Sequence, residues 1–147
     1  MHPQVENYVN GKRLLITGAS GYLASNLAKS LKEVPCTIRR LTRKLRLAPM
    51  QGNALFEDIQ GDIRDSSVWD QAMDEVDAVF HFAAQTSVCI ADKDPVNDYQ
   101  INVLPMLLML ETCKKNGRRP DILFAGTSTV VGLPEELPIN ETFPDRP

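Results

Sequence analysis

Cysteines are scarce in this chain, and the few present follow no functional spacing. The 147 residues contain three, Cys36, Cys89 and Cys113, which are far apart and odd in number. A disulfide framework or a zinc site is therefore not expected, and the thiols are predicted to be reduced. Long hydrophobic runs are also missing. The longest covers residues 103–110, contains Pro105 and is too short to span a bilayer.

An excess of positive charge is absent as well. The net charge is −3, whereas surfaces that bind nucleic acids or anionic membranes need concentrated lysine and arginine. Residues 1–12 are polar and lack the apolar stretch of a secretory signal. We therefore expect a cytoplasmic protein without a nucleic-acid or membrane partner. One basic cluster departs from this balance and consists of Arg39, Arg40, Arg43, Lys44 and Arg46.

The chain does contain a regular alternation of short apolar runs and helical patterns. The apolar runs predict strands at residues 13–17, 37–42, 54–61, 77–82 and 121–125. Helical spacing predicts helices at residues 22–32, 65–74 and 95–116, and residues 86–94 fit a loop or a broken helix. Pro105 should kink or split the longest helix, and Gly117 should end it. This alternation predicts an α/β fold with a parallel sheet and helices on both faces.

A glycine-rich turn, TGASGYLA at residues 17–24, joins the first strand to the first helix. Gly18 permits a tight turn, Gly21 lets the backbone approach a pyrophosphate, and the small Ala24 lets the helix pack close to the strand. The free N–H groups and the positive dipole end of the helix favour phosphate there, and Ser20 adds a hydroxyl donor. The turn predicts a dinucleotide site in a Rossmann-type, doubly wound sheet.

The spacing TGxxGxxA, together with HFAAQTSV at residues 81–88 and GTSTVVG at residues 126–132, resembles the extended branch of the short-chain dehydrogenases and reductases. The nearest resemblance is to its NAD(P)-dependent epimerases and dehydratases of nucleotide sugars. The segment GDIRD at residues 61–65 resembles the adenine-contacting segment of that branch. Two positions depart from the pattern, Gly126 and Val131, where the family usually has Ser and Tyr.

The glycine turn and the resemblance together imply a nicotinamide dinucleotide and a set of residues that contact it. These residues are Gly18, Ser20, Gly21, Tyr22, Leu23, Thr42, Arg43, Asp62, Ile63, Phe82, Ala83, Ala84, Gln85, Thr86 and Asn102. Two alternatives stay open at this point. Asp62 fits a turn or cap residue, and Asn102 fits a polar residue that is satisfied by the backbone. His81 is expected to be a hydrogen-bonded core residue.

The choice between NAD and NADP depends on the end of the second strand. An acidic residue there would bind the ribose hydroxyls and repel a 2′-phosphate, but Thr42 occupies the position and Arg43 follows it. A missing carboxylate beside a guanidinium favours NADP, and NAD stays the alternative. A solvated basic face is the simpler explanation of Arg39 and Lys44.

The resemblance also implies a chemistry, in which hydride moves between the nicotinamide and a carbon that bears oxygen. A Ser or Thr hydroxyl orients that oxygen, and a Tyr acidified by a Lys moves the proton. The orienting hydroxyl falls five residues before Gly132, which gives Thr127, with Ser128 as the alternative. Tyr8 and Lys12 have the Tyr-x-x-x-Lys spacing but precede the first strand. The catalytic pair is therefore expected beyond Pro147.

We expect three parts: an N-terminal extension at residues 1–12, an NAD(P)-binding domain at residues 13–132 and a loop at residues 133–147. That loop should lead to an absent C-terminal part. The chain is expected to be the cofactor-binding part of an epimerase, dehydratase or reductase and inactive by itself. The alternative is a non-catalytic redox sensor or an inactive truncated module. By the same resemblance, an apolar face of the central helices is expected to pair two copies in a homodimer.

Overall fold

A five-stranded parallel sheet forms the centre of the molecule. The computed structural model describes residues 2–44, 47–134 and 137–146. In chain order the strands are β1 (Arg13–Thr17), β2 (Thr37–Thr42), β3 (Leu55–Gln60), β4 (Ala78–His81) and β5 (Asp121–Phe124). They lie in the spatial order β3-β2-β1-β4-β5, so the direction of winding reverses between β1 and β4. This reversal confirms the predicted doubly wound sheet and creates the crevice in which such sheets bind ligands.

The helices include one within residues 1–12 that was not predicted and one within residues 86–94, where a loop or a broken helix was expected, and the others differ from the expectation mainly at their ends. They are α1 (Pro3–Val9), α2 (Tyr22–Leu31), α3 (Ser66–Ala72), α4 (Val88–Lys93), α5 (Pro95–Asn102) and α6 (Leu104–Asn116). The predicted long helix splits at Val103, which leaves Pro105 in the first turn of α6, where its missing N–H breaks no helical hydrogen bond. Gly117 ends α6 with φ of 65°, as predicted. None of the helices in the described ranges is both long and apolar enough to cross a membrane.

Two hydrophobic layers cover the two faces of the sheet. Leu14 and Ile16 of β1 pack with α2 on one face, whereas Leu15 faces the opposite layer with Trp69 of α3. The alternation follows from the two-residue period of a strand. Val9 of α1 belongs to the first layer and is 1% exposed, so the N-terminal helix packs against the domain.

Two arginines of β2 are buried ion-pair partners of β3. In the sheet register Arg39 lies opposite Glu57 and Arg40 opposite Asp58, with guanidinium–carboxylate distances of 2.8 and 2.6 Å. Arg39 also donates to three main-chain carbonyls of residues 71–74 at the end of α3. The interpretation of Arg39 as part of a solvated basic face was wrong, because β3 supplies a carboxylate opposite each arginine.

Candidate functional site

Two clefts lie along the carboxyl edge of the sheet and meet at the switch point. The first, about 520 Å³, lies at the ends of β1, β2 and β3 and is lined by the predicted contacts Gly18, Ser20, Gly21, Thr42, Arg43, Asp62, Ile63, Phe82, Ala83 and Ala84. The second, about 630 Å³, lies at the ends of β4 and β5 and is lined by Ala83, Ala84, Gln85, Thr86, Asn102 and Thr127. The two clefts share Ala83 and Ala84, so a long ligand can cross from one to the other.

The glycine turn brings the end of β1 close to the backbone that follows β4. Gly18 has φ of +63°, and a Cβ placed on it would lie 2.8 Å from the main-chain nitrogen of Ala83. Both facts require glycine at this position. Gly21 begins α2 without a side-chain cap, so the first-turn N–H groups of Tyr22 and Leu23 are available to a phosphate. The side chains of these two residues are exposed and line neither cleft.

A buried hydroxyl fixes the end of β4 against the end of β1. Thr17 Oγ1 accepts the N–H groups of Phe82 and Ala83, both at 3.1 Å, and lies 3.0 Å from Nδ1 of His81. Since the oxygen already accepts two N–H groups, its own proton goes to Nδ1, which assigns the ring proton to Nε2. Burial lowers the pKa of His81 to about 4, so the ring is neutral. The interpretation of His81 as a hydrogen-bonded core residue is confirmed.

The end of β2 presents cations to the first cleft and no carboxylate of its own. The buried Thr42 hydroxyl lies 3.3 Å from the hydroxyl of Ser20 and accepts the N–H of Lys44 at 3.2 Å. Arg43 and Lys44 are exposed and line the cleft. Arg46, the last member of the basic cluster, lies outside the described residues.

Asp62 combines a turn with a place in the first cleft. Its carboxylate accepts the Arg64 main-chain N–H at 3.0 Å and the Arg64 guanidinium at 3.0 and 2.7 Å. The hydrogen bond from the Arg64 side chain is the main cause that lowers the pKa of Asp62, and the charge of Arg43 adds to it. Asp62 is therefore a turn residue, as the alternative had it. Its carboxylate also lines the first cleft, where it is an ionised hydrogen-bond acceptor.

The side chain of Asn102 is hydrogen-bonded to the main chain, which is the alternative that the sequence left open. Its Oδ1 accepts the Gln85 N–H, and its Nδ2 donates to the Gln85 carbonyl, both at 2.9 Å. Asn102 is the last residue of α5, so the break between α5 and α6 places this amide against the loop that follows β4. Through these two bonds Asn102 shapes the wall of the second cleft.

The predicted catalytic hydroxyl lies at the far side of the second cleft. Thr127 follows β5, is exposed and lines that cleft. Its Oγ1 lies 2.9 Å from Thr129 Oγ1 and accepts the Thr129 N–H at 3.3 Å, at the start of the 3-10 turn Ser128–Val131. The side chain of Ser128, the alternative, lies outside the described part of the chain.

Tyr8 and Lys12, which have the Tyr-x-x-x-Lys spacing, lie at the opposite, amino edge of the sheet. Tyr8 donates to the carboxylate of Asp121, the first residue of β5, and the amino ends of parallel strands share one edge. This hydrogen bond is the main cause that raises the pKa of Tyr8 to about 12, whereas a catalytic tyrosine needs a lowered pKa.

In the described ranges, no group of three or more His, Cys, Asp and Glu side chains could hold a metal ion.

Sequence reasoning missed two polar residues that shape the site. Thr17 is the last residue of β1, and the signal for it was a hydroxyl at the end of an otherwise apolar strand. Asp98 of α5 accepts from Gln85 at 2.8 Å and from Asn102 at 3.0 Å. The signal for Asp98 was its spacing of four residues from Asn102, which places both side chains on one helix face.

The reversal of strand order, the glycine turn and the joined clefts define a dinucleotide-binding α/β domain. Residues 14–147 match the model of the NAD dependent epimerase/dehydratase family. The chain belongs to that family, as its resemblance predicted.

The relatives are much longer than this chain. The chain is 34% identical to the UDP-glucose 4-epimerase of Azospirillum brasilense over 140 residues, which are 92% of this chain and 39% of the relative. It is 35% identical to the D-erythronate dehydrogenase of Cupriavidus necator over 130 residues, which are 81% and 40% of the two chains. The solved UDP-glucose 4-epimerase of Bifidobacterium longum, in complex with NAD+ and UDP, superposes with a TM-score of 0.77 at 26% identity, covering 91% of this chain and 42% of that one. The chain thus spans about two fifths of these relatives.

Proposed function

We propose that the chain is the cofactor-binding part of an NAD(P)-dependent epimerase, dehydratase or reductase that acts on a nucleotide sugar. The observation that carries the proposal is the pair of clefts that meet at Ala83 and Ala84. A dinucleotide would place its adenosine half in the first cleft and its pyrophosphate at the start of α2. Its nicotinamide half would then lie in the second cleft, beside Thr127. The nicotinamide supplies hydride transfer when it is bound.

The nucleotide-sugar class is supported by the relatives, and the second cleft supplies a group for the chemistry. The cleft carries a hydroxyl at Thr127 that could orient a substrate oxygen, with Ser128 as the alternative. The Azospirillum relative is a UDP-glucose 4-epimerase, and the Bifidobacterium structure contains UDP beside NAD+. In this proposal the proton-transferring Tyr and Lys come from outside these 147 residues, since the Tyr8 and Lys12 pair lies at the wrong edge of the sheet.

Calorimetric titration of the chain with NADP+ and NAD+ tests the first half of the proposal, and we expect saturable binding at one site per chain. Addition of UDP-glucose to the cofactor-loaded chain, followed by NMR of the sugar, tests whether the proton-transferring Tyr and Lys come from outside these 147 residues. We expect no conversion by the chain alone. Absence of dinucleotide binding would contradict the proposed function. Conversion by the chain alone would contradict the external Tyr and Lys.

We propose NADP as the preferred cofactor, although the Bifidobacterium relative was solved with NAD+. The support is the end of β2, where Arg43 and Lys44 line the first cleft and Arg40 is already paired with Asp58. Arg43→Ala should weaken NADP+ binding about tenfold, because a charge-assisted bond to the 2′-phosphate is lost, and should leave NAD+ binding unchanged. The matched control is Arg118→Ala, an exposed arginine outside the first cleft. An unchanged NADP+ to NAD+ ratio in the Arg43→Ala chain would contradict the assignment.

We also propose that two copies pair through the central helices, as the resemblance implies. Tyr99 of α5, Val103 at the break between the two helices, and Leu107 and Leu110 of α6 are between 45% and 50% exposed. An apolar stripe of this length is costly to leave in water. Sedimentation equilibrium should find a dimer that Leu107→Glu converts to monomers. A monomer of the unmutated chain at all concentrations would contradict the pairing.

A further inference from the structure

The loop that follows β4 is closed on itself by one side-chain amide. Gln85 Oε1 accepts the main-chain N–H of Ser87, and Gln85 Nε2 donates to the main-chain carbonyl of Ser87 at 3.0 Å. These two bonds tie the Gln85 side chain to the main chain of Ser87 and so bracket Thr86, which is exposed and lines the second cleft. The conformation of this wall therefore depends on the orientation of the Gln85 amide.

A single carboxylate oxygen holds that amide in place. Asp98 Oδ1 accepts from Gln85 Nε2 at 2.8 Å and from Asn102 Nδ2 at 3.0 Å. Asn102 in turn makes the two hydrogen bonds with the main chain of Gln85 described above. Asp98 and Asn102 lie four residues apart on one face of α5. From this face Asp98 binds the side chain of Gln85 and Asn102 binds its main chain. Both amides that hold the loop converge on the same acceptor.

We propose that Asp98 is a positioning residue for the nicotinamide-side wall of the second cleft and acts through Gln85 and Asn102. This inference rests on the proposed function, because it assumes that the nicotinamide half occupies that cleft. Removal of the Asp98 carboxylate leaves one N–H of the Gln85 amide and one of the Asn102 amide without a partner. The hydrogen-bonded network then loses the acceptor that its two amides share. The loop then samples other conformations, and a ligand must select the binding-competent one.

The ligand-binding test compares the whole dinucleotide with its adenine half. NADP+ would fill both clefts, whereas 2′,5′-ADP would fill only the first. Calorimetry should give an NADP+ affinity about tenfold weaker for Asp98→Ala, with the 2′,5′-ADP affinity unchanged. Asp98→Asn keeps an oxygen acceptor but removes the charge, so it should restore most of the NADP+ affinity. The matched control is Asp92→Ala, which removes an exposed carboxylate of α4 outside the cleft lining.

Four binding results would overturn the inference. Equal weakening of both ligands by Asp98→Ala would indicate a general structural role. Loss of NADP+ affinity in Asp98→Asn to the level of Asp98→Ala would show that the charge, and not the acceptor, matters. An unchanged NADP+ affinity in Asp98→Ala would contradict the inference alone, whereas failure of the unmutated chain to bind NADP+ and NAD+ would contradict the proposed function as well.

A second measurement reports on the loop without any ligand. Amide hydrogen exchange, followed by NMR, should be faster at Gln85 and Ser87 in the Asp98→Ala chain than in the unmutated chain. The amides of β1 serve as the internal reference and should keep their protection. Equal exchange at Gln85 and Ser87 in the two chains would overturn the positioning role, whether or not the cofactor binds.

Discussion

Among single residues, Gly18 makes the closest backbone approach in the site. It combines a left-handed backbone with a main-chain neighbour, Ala83, at a distance that leaves no room for a Cβ. Gly117 has nearly the same φ, but nothing lies within 4 Å of its Cβ position. Alanine substitutions at the two glycines therefore separate two costs in the free energy of unfolding. Gly117→Ala meets only the left-handed backbone, and Gly18→Ala meets the close approach of Ala83 as well.

Gly18→Ala should lower the free energy of unfolding by about 3 kcal/mol, because backbone strain adds to a clash that only a shift of β4 can relieve. Gly117→Ala should cost about 1 kcal/mol, since it meets only the left-handed backbone. Urea denaturation of the two variants gives both values. Equal losses would contradict the close packing of Gly18 on Ala83.

His81 gives the stability of the molecule a defined pH dependence. Its pKa is about 4 in the fold and about 6.5 in an unfolded chain. Between these values the unfolded state binds a proton that the folded state excludes, so stability falls as the pH drops from about 6.5 to about 4 and is unaffected by this group above that window. The difference amounts to about 3 kcal/mol at the lower end.

Replacement of the titrating ring isolates this contribution. His81→Gln should lose the part of the pH slope between about pH 6.5 and 4 that the imidazole causes, although its stability near neutral pH should be lower because the bond to Thr17 is disturbed. The matched control is His2→Gln, which changes the chain's other histidine, an exposed one at the start of α1. A slope in His81→Gln equal to that of the unmutated chain would contradict a buried neutral His81.

At the scale of secondary-structure elements, Arg39 joins three of them. It lies on β2, pairs with Glu57 of β3 and donates to three carbonyls at the end of α3. The carbonyls of Gln71 and Ala72 belong to the last turn of α3, where helical partners are missing, and that of Asp74 follows the helix. A cation there also complements the helix dipole. One buried guanidinium thus holds the outer half of the sheet to the helix that covers it.

Arg39→Lys should lower the free energy of unfolding by about 2 kcal/mol, because one ammonium cannot replace the planar guanidinium at both Glu57 and the α3 carbonyls. The matched control is Lys115→Met, which removes the exposed ion pair between α6 and Asp70 of α3 and should cost less than about 1 kcal/mol. Urea denaturation measures both. A loss in Arg39→Lys no larger than in the control would contradict the capping role.

The elements also show which parts of the structure the sequence predicts. All five strands were predicted to within two residues, because each is a short segment with apolar residues that turn or helix signals bound on both sides. The split of the long helix followed from Pro105, although the break falls at Val103. The partner of Arg39 could not be predicted, since it depends on the register of β2 with β3, which no local pattern encodes. The hydrogen bond from Gln85 to Asp98 could not be predicted for the same reason, because Gln85 lies in the loop after β4, although the four-residue spacing of Asp98 from Asn102 was a local signal.

At the scale of the whole molecule, the parallel sheet places the candidate site residues at one edge. The glycine turn, Asp62, Ala83 and Thr127 follow four different strands, yet all lie at the carboxyl edge because the strands are parallel. The Tyr8 and Lys12 pair is excluded from the site by the same geometry. The glycine turn and the matching segments predicted this arrangement, whereas the choice between NADP and NAD depends on the few side chains at the end of β2.

The central claim is that a nicotinamide dinucleotide crosses the sheet edge from the first cleft to the second. NMR titration of the labelled chain with NADP+ or NAD+, whichever binds more tightly by calorimetry, tests this claim most directly. The account predicts saturable amide shifts at the glycine turn, at Asp62 and at residues 83–86, with none around Tyr8 and Asp121 at the amino edge. Shifts that do not saturate, or that cluster at the amino edge, would contradict it.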